Sequence, residues 1–273
     1  MRIRGERECR ECGRRWSYFE TGSVECPTCG SLHSVGTGDR EAHTDAPVTL
    51  DLHEHRDRFG EATAALPSEG VTELKRDLRA YVHKRGFVHA GELTELDTPY
   101  LAARELLEAV DVYDRLRHPT DGDHTYLLAL LAGADSGDRP HAAEVPSAMQ
   151  SARGMATALA VETYREELTT YLMESTASTD APSDFPHGRA ESDTTLASRP
   201  HESEGPQRTQ LDRLRERLRD RTKQITALQG DVAPATADEL VRATRAIHTA
   251  ITTDNQDALD RAETHLGNAT PSA

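Results

Sequence analysis

Two Cys-x-x-Cys pairs near the start of the chain constrain its fold more than any other feature of the sequence. All the cysteines of the 273-residue chain belong to these pairs: Cys9, Cys12, Cys26 and Cys29. A Cys-x-x-Cys turn brings two sulfur atoms together, and two such turns supply the four ligands of a tetrahedral metal ion. The glycine that follows each pair, Gly13 or Gly30, permits the positive φ that such a turn needs.

Two disulfides or a redox-active dithiol are the alternatives to a metal site. The N-terminal sequence lacks the apolar segment of a secretion signal, which disfavours disulfides. A redox Cys-x-x-Cys motif is not expected to occur as a duplicated pair with this spacing. We therefore expect a bound metal. Because four protein ligands leave no open coordination position, the site is predicted to be structural rather than catalytic.

The run Cys-x-x-Cys-Gly-x-x-Trp, followed by Cys-Pro-x-Cys-Gly, resembles a zinc ribbon of the archaeal transcription-factor-B type or of rubredoxin-like proteins. The resemblance implies two turns above a small antiparallel sheet. It also implies Zn²⁺ as the cofactor, with the ligands Cys9, Cys12, Cys26 and Cys29. The interval between the pairs is shorter than in rubredoxins, which favours zinc over iron. Ribbons serve many tasks, so the resemblance says little about function.

The composition is acidic and poor in lysine. The formal net charge is −15, and only three of the 32 basic residues are lysines. This balance resembles that of proteins from salt-in halophilic archaea, where dense carboxylates hold water and cations while salt screens their repulsion. An ordinary acidic protein is the alternative. Leu, Ile, Val and Phe form about 17% of the chain, under the roughly 20% below which disorder is expected in highly charged chains, so one large core is excluded.

Apolar spacing predicts a mainly α-helical protein with a small N-terminal β zinc ribbon, a helical bundle, a disordered linker and C-terminal helices. The predicted units are a ribbon at 1–38, a helical domain at 48–175, a disordered linker at 176–206 and a C-terminal helical segment at 207–268. A polar linker is predicted over 36–47. Individual helices are predicted over 50–66, 147–173, 207–230, 236–252 and 255–267. Asp97 and Asp123 are expected to cap helices.

Two basic segments are candidates for contacting a partner. Between the cysteine pairs lie Arg14, Arg15, Trp16 and Tyr18, and a strand there would place Trp16 and Tyr18 on one face. Arginines interleaved with aromatic residues suit nucleic acid. Alternatively, one aromatic residue covers the metal site and glutamates pair with the arginines. Within 208–223, Arg213 and Arg217 belong either to a contact surface or to an amphipathic helix that packs on residues 236–267 or forms a short coiled coil.

The sequence contains no recognised catalytic motif and no apolar segment long enough to span a membrane. We therefore predict a cytoplasmic, non-enzymatic, zinc-binding interaction or adaptor protein that has a protein partner. The alternative is a nucleic-acid-binding or transcription-associated protein that uses the ribbon arginines and aromatics together with the basic helix 208–223. The oligomeric state is left open.

Overall fold

The computed structural model describes residues 2–59, 68–179 and 206–271, and these residues are mainly α-helical, as the sequence predicts. The strands are β1 (Arg2–Cys9), β2 (Arg15–Ser17), β3 (Ser34–Ala42), β4 (Val88–His89) and β5 (Glu92–Leu93). The first helices are α1 (Tyr18–Thr21), α2 (His53–Phe59), α3 (Ser68–Lys84), α4 (Thr98–Arg115) and α5 (Asp121–Gly133). The chain continues with α6 (Gln150–Thr179), α7 (Pro206–Ala227), α8 (Pro234–Thr253) and α9 (Gln256–Asn268).

The N-terminal sheet is antiparallel, with β1 between β2 and β3. Strand β3 carries the sheet as far as Ala42, so the prediction of a polar linker over 36–47 is wrong for 36–42. Pairing with β1 overrides the polar, glycine-containing composition there. Strand β2 ends at Ser17, and Tyr18 begins the short helix α1. The prediction that Trp16 and Tyr18 share one strand face is therefore also wrong.

Of the two helix caps predicted from the sequence, the structure confirms one. Asp97 caps α4 as predicted, because its side chain accepts a hydrogen bond from the backbone N–H of Tyr100. Asp123 does not cap the following helix. Thr120 occupies that position in α5, and the Asp123 carboxylate accepts a hydrogen bond from the backbone N–H of Thr120 in a reciprocal capping box.

The remaining helix boundaries follow the sequence with local differences. Helix α2 covers only 53–59 of the predicted helix 50–66, and residues 60–67 lie outside the described residues. Helix α6 begins at Gln150 and continues to Thr179, beyond the predicted end at residue 173. Of the predicted disordered linker 176–206, residues 180–205 lie outside the described residues. The three predicted C-terminal helices are confirmed as α7, α8 and α9.

The helices share one continuous apolar core, which extends from Leu50 to Ala269, so the expectation that one large core is excluded is wrong. At its centre the ring of Phe87 meets the rings of Tyr100 and Tyr164 edge-on, with centroids 5.0 and 5.1 Å apart. The apolar face of α7, which includes Leu214 and Leu218, is buried in this core against α6, α8 and α9. In the N-terminal sheet, the buried side chains of Cys9, Trp16 and Cys26 form a separate small cluster.

A close backbone contact fixes α6 against the turn that follows α7. A Cβ on Gly154 would lie 2.1 Å from the carbonyl oxygen of Gly230, which has a φ of +78°. We expect Gly154→Ala to lower the free energy of unfolding by about 1–3 kcal/mol, because the two backbones must separate. Gly267→Ala is the matched control, since a Cβ at this helical position meets nothing within 4 Å. Denaturant titration measures the free energy of unfolding of both variants. Equal values for the two would contradict a close contact between the backbones at Gly154 and Gly230.

Candidate metal centre

The two Cys-x-x-Cys segments fold into turns with the same geometry. In the first turn the backbone N–H of Gly13 donates to the carbonyl oxygen of Cys9 at 3.0 Å, and in the second Gly30 donates to Cys26 at 2.9 Å. Both glycines have a φ of +70°, which L-residues rarely adopt. The glycine after each pair thus has the conformational role that the sequence predicts. Strand β1 leads directly into the first turn.

The turns bring the four sulfur atoms together. The Sγ atoms of Cys9 and Cys29 are 3.7 Å apart, and those of Cys12 and Cys26 are 3.6 Å apart. All four sulfur atoms lie within 4.8 Å of one another. A tetrahedral ion with metal–sulfur bonds of about 2.3 Å separates its ligands by about 3.8 Å. The four cysteines therefore form a cluster that fits a metal ion, and none of them is in a disulfide.

One side of the cluster is covered by protein. Cys9 and Cys26 are buried, whereas Cys12 and Cys29 are exposed. Trp16 packs with the two buried cysteines and is only 7% exposed, and its indole N–H donates to the carbonyl oxygen of Ser23 at 3.0 Å. The aromatic ring thus shields the sulfur cluster from water. Trp16 is not on the exposed surface where a base-stacking role would need it.

Four thiols this close do not ionise independently. Burial raises the pKa of the Cys26 thiol, but the backbone N–H groups of Cys29 and Thr28 donate to its sulfur and bring the pKa down to about 6. The N–H of Ser31 lowers the pKa of Cys29, whereas the neighbouring thiols raise it to about 12. One thiolate forms readily and hinders the next. A divalent cation removes this conflict because it stabilises all the thiolates together.

The other candidate contact residues differ in exposure and in their partners. Arg15 pairs with Glu8 at 2.7 Å, and Arg14 is exposed beside the metal-binding turn. Tyr18 is half-buried on α1. On α7, Arg213 is exposed and Arg217 pairs with Glu263 of α9 at 2.9 Å. Among the candidate arginines, Arg15 and Arg217 therefore pair with glutamates.

A buried ionic network was not anticipated from the sequence. The Glu105 carboxylate on α4 is fully buried and accepts hydrogen bonds from the Tyr126 hydroxyl, from Arg139 Nε at 2.6 Å and from Arg153 Nη1 at 3.0 Å. Arg153 also donates to both carboxylate oxygens of Asp238, at 2.8 and 2.9 Å. The network joins α4, α5, α6 and α8. In so acidic a chain, a single buried glutamate gives no signal in the sequence.

Fold and site together define a mainly α-helical protein with a four-cysteine candidate metal centre on a small N-terminal sheet. The chain belongs to a family of unknown function, DUF7117, whose sequence model matches residues 1–186 and 191–266. No curated protein and no solved structure matches the chain. Within 2–59, 68–179 and 206–271, every helix is too short or too polar to cross a bilayer.

Proposed function

We propose that Cys9, Cys12, Cys26 and Cys29 hold one structural Zn²⁺ ion, and that the protein is a non-enzymatic interaction or adaptor protein. The spacing of the four sulfur atoms carries this proposal: all lie within 4.8 Å of one another, and two pairs are 3.6 and 3.7 Å apart. Four thiolate ligands in a tetrahedron are typical of structural zinc, and they leave no position for a substrate. The cytoplasm is the proposed location, because thiols stay reduced there.

The metal supplies what the small sheet lacks in apolar packing. Only Cys9, Trp16 and Cys26 form the buried cluster beside the turns, and two of these three residues are proposed ligands. In small domains of this kind, metal binding provides the free energy of folding. The proposed ion is therefore a structural element that holds the N-terminal sheet as a rigid unit on the helical body.

An exposed apolar side chain next to the metal-binding turns supports a protein partner. Leu32 follows the second turn and is 67% exposed, and Val24 on the same ribbon is 43% exposed. Buried apolar anchors surrounded by polar groups are typical of protein interfaces. The burial of Trp16 and the ion pairs of Arg15 and Arg217 weigh against the basic surface that nucleic acid was expected to use. We keep the view that the acidic surface is an adaptation to high salt.

Affinity purification of the full-length protein from its native cells tests the adaptor role. We expect the wild-type protein to retain a specific protein partner, and Leu32→Glu to lose it, because a charge replaces the apolar contact. Leu228→Glu is the matched control, since Leu228 is also exposed, at 46%, and follows α7 directly, outside the ribbon. Retention of the partner by both variants would contradict the contact at Leu32, and an eluate that contains nucleic acid without a protein partner would contradict the adaptor role.

A further inference from the structure

A cleft on the N-terminal sheet gathers arginines that the sequence does not group together. It has a volume of about 420 Å³ and is lined by Arg2, Arg4, Arg7 and Arg40. Arg4 on β1 lies directly opposite Arg40 on β3 in the strand register. The cleft lining, within the part of the chain that the structure describes, contains no acidic residue. In a chain with a net charge of −15, this concentration of positive charge is unusual.

Three of the four arginines in this cleft, Arg4, Arg7 and Arg40, are not paired with a carboxylate in the described part of the chain. Arg153, for comparison, lies between the carboxylates of Glu105 and Asp238. Within the described ranges 2–59, 68–179 and 206–271, no carboxylate is within ion-pair distance of Arg4, Arg7 or Arg40. Positive groups left without counter-charges in a concave site attract an anionic ligand.

One of these arginines is held in place by neutral groups. Arg7 donates from Nε and Nη2 to the hydroxyl of Ser34, at 3.1 and 2.9 Å, and from Nη2 to the Ser34 carbonyl oxygen at 3.3 Å. The Ser34 hydroxyl donates in turn to the carbonyl oxygen of Val24 at 2.7 Å. These bonds fix the plane of the guanidinium without cancelling its charge, and they leave its Nη1 available for a ligand.

The same cleft also has an apolar wall. Its lining includes the aromatic residue Tyr18 and the apolar residues Ile3 and Val24, and Val24 is among the exposed large apolar residues of the described chain. A cleft that combines guanidinium groups with an aromatic ring suits a ligand with both an anionic part and a flat part. Inorganic phosphate would use only the first of these features, and an apolar peptide only the second.

We propose that this cleft binds a nucleoside phosphate, either as a free nucleotide or as one unit of a single-stranded nucleic acid. Guanidinium forks match the geometry of phosphate oxygens, and an aromatic ring stacks on a base of any identity. The volume is in the range of small-ligand sites, which begins at roughly 300 Å³. This site goes beyond the adaptor role and does not depend on it. It shares only Tyr18 with the basic surfaces predicted from the sequence.

Binding titrations of the full-length, metal-loaded protein test the site. The probes are a fluorescent adenosine nucleotide, a fluorescent single-stranded oligonucleotide, inorganic phosphate as competitor and a poly-glutamate peptide. We expect saturable binding of at least one nucleotide probe, with an affinity that falls as salt rises. Binding of the free nucleotide indicates a small-molecule ligand, whereas binding of the oligonucleotide alone indicates a strand. Absence of saturable binding, or tighter binding of poly-glutamate, would overturn the proposal.

Substitutions of cleft residues test whether nucleotide binding takes place in the cleft. Arg4→Gln with Arg40→Gln is expected to weaken nucleotide binding about tenfold for each guanidinium removed. Tyr18→Leu is expected to weaken nucleotide binding about tenfold, because the aromatic ring that stacks on the base is lost. The inhibition constant of inorganic phosphate should stay unchanged, because phosphate does not use the ring. Arg14→Gln is the matched control, because it removes one exposed charge from the same ribbon outside the cleft. Metal content and circular dichroism establish that each variant is folded. An equal loss in Arg14→Gln, or none in the double variant, would contradict the proposal.

Discussion

Cys26→Ser is expected to release the metal and to unfold the N-terminal sheet, while most of the helical structure remains. Cys26 is 1% exposed and its sulfur lies 3.6 Å from that of Cys12, so the hydroxyl of serine removes both a ligand and part of the small apolar cluster. The apparent free energy of zinc binding in small structural sites is about 10–16 kcal/mol, and the sheet has little else to replace it. Metal content should fall from about one ion per chain to near zero.

The helices should persist because their core is separate from the metal cluster. The buried residues of α3–α9 form one continuous group, and Cys9, Trp16 and Cys26 form another. Far-ultraviolet circular dichroism should change little, while limited proteolysis should cut within residues 2–42. Thr28→Ala is the matched control, since Thr28 is exposed between two ligands and its backbone N–H is retained. Loss of most helical signal in Cys26→Ser would show that sheet and helices fold as one cooperative unit.

Glu105→Ala is expected to destabilise the helical body by about 3–5 kcal/mol. The substitution removes the carboxylate that lies between Arg139 and Arg153. Arg153 keeps its pair with Asp238, but the guanidinium of Arg139 loses its ion pair, and an uncompensated buried charge is strongly unfavourable. Burial, and then the negative charge of Glu105, raise the pKa of Tyr126, so its hydroxyl stays protonated and also loses its acceptor. Because small domains are stable by only about 5–15 kcal/mol, a large share of the stability is lost.

Denaturant titration with and without the substitution measures this effect. Glu216→Ala is the control, because its pair with Arg219 spans three residues on the exposed face of α7 and should contribute less than about 1 kcal/mol. Glu105→Gln keeps the shape and one acceptor oxygen but not the charge, so its stability should lie between those of the wild type and Glu105→Ala. A loss for Glu105→Ala no larger than that for Glu216→Ala would show that the network does not hold the helices together.

Local sequence signals were sufficient to predict the elements whose stabilising contacts are between residues close together in the sequence. The cysteine spacing and the following glycines predict both turns, and Gly13 and Gly30 have the positive φ that those turns need. Asp97 followed by Thr98 and Pro99 predicts the start of α4, because the capping bond to Tyr100 is local. The leucine spacing of α7 predicts its buried face, as Leu214 and Leu218 show. Such signals lie within one or two turns of chain.

Features that depend on distant contacts could not be predicted in this way. Strand β3 has a polar, glycine-containing sequence, and only its pairing with β1 makes it a strand. Glu105 resembles every other glutamate in an acidic chain until α6 brings Arg153 to it, 48 residues away. The arginine cleft has the same cause, because Arg4 and Arg40 become neighbours only when β1 and β3 pair. The charged composition made Glu105 and the cleft arginines hard to recognise, because charged residues are so abundant in this chain that one of them alone does not indicate a buried network or a site.

The central claim is that four cysteines bind one structural zinc ion, and X-ray absorption spectroscopy at the zinc edge tests it most directly. The purified full-length protein should contain one zinc per chain, with four sulfur neighbours at about 2.3 Å and no nitrogen or oxygen ligand. Iron in place of zinc, fewer than four sulfur ligands, or reduced cysteines with no bound metal would contradict the claim.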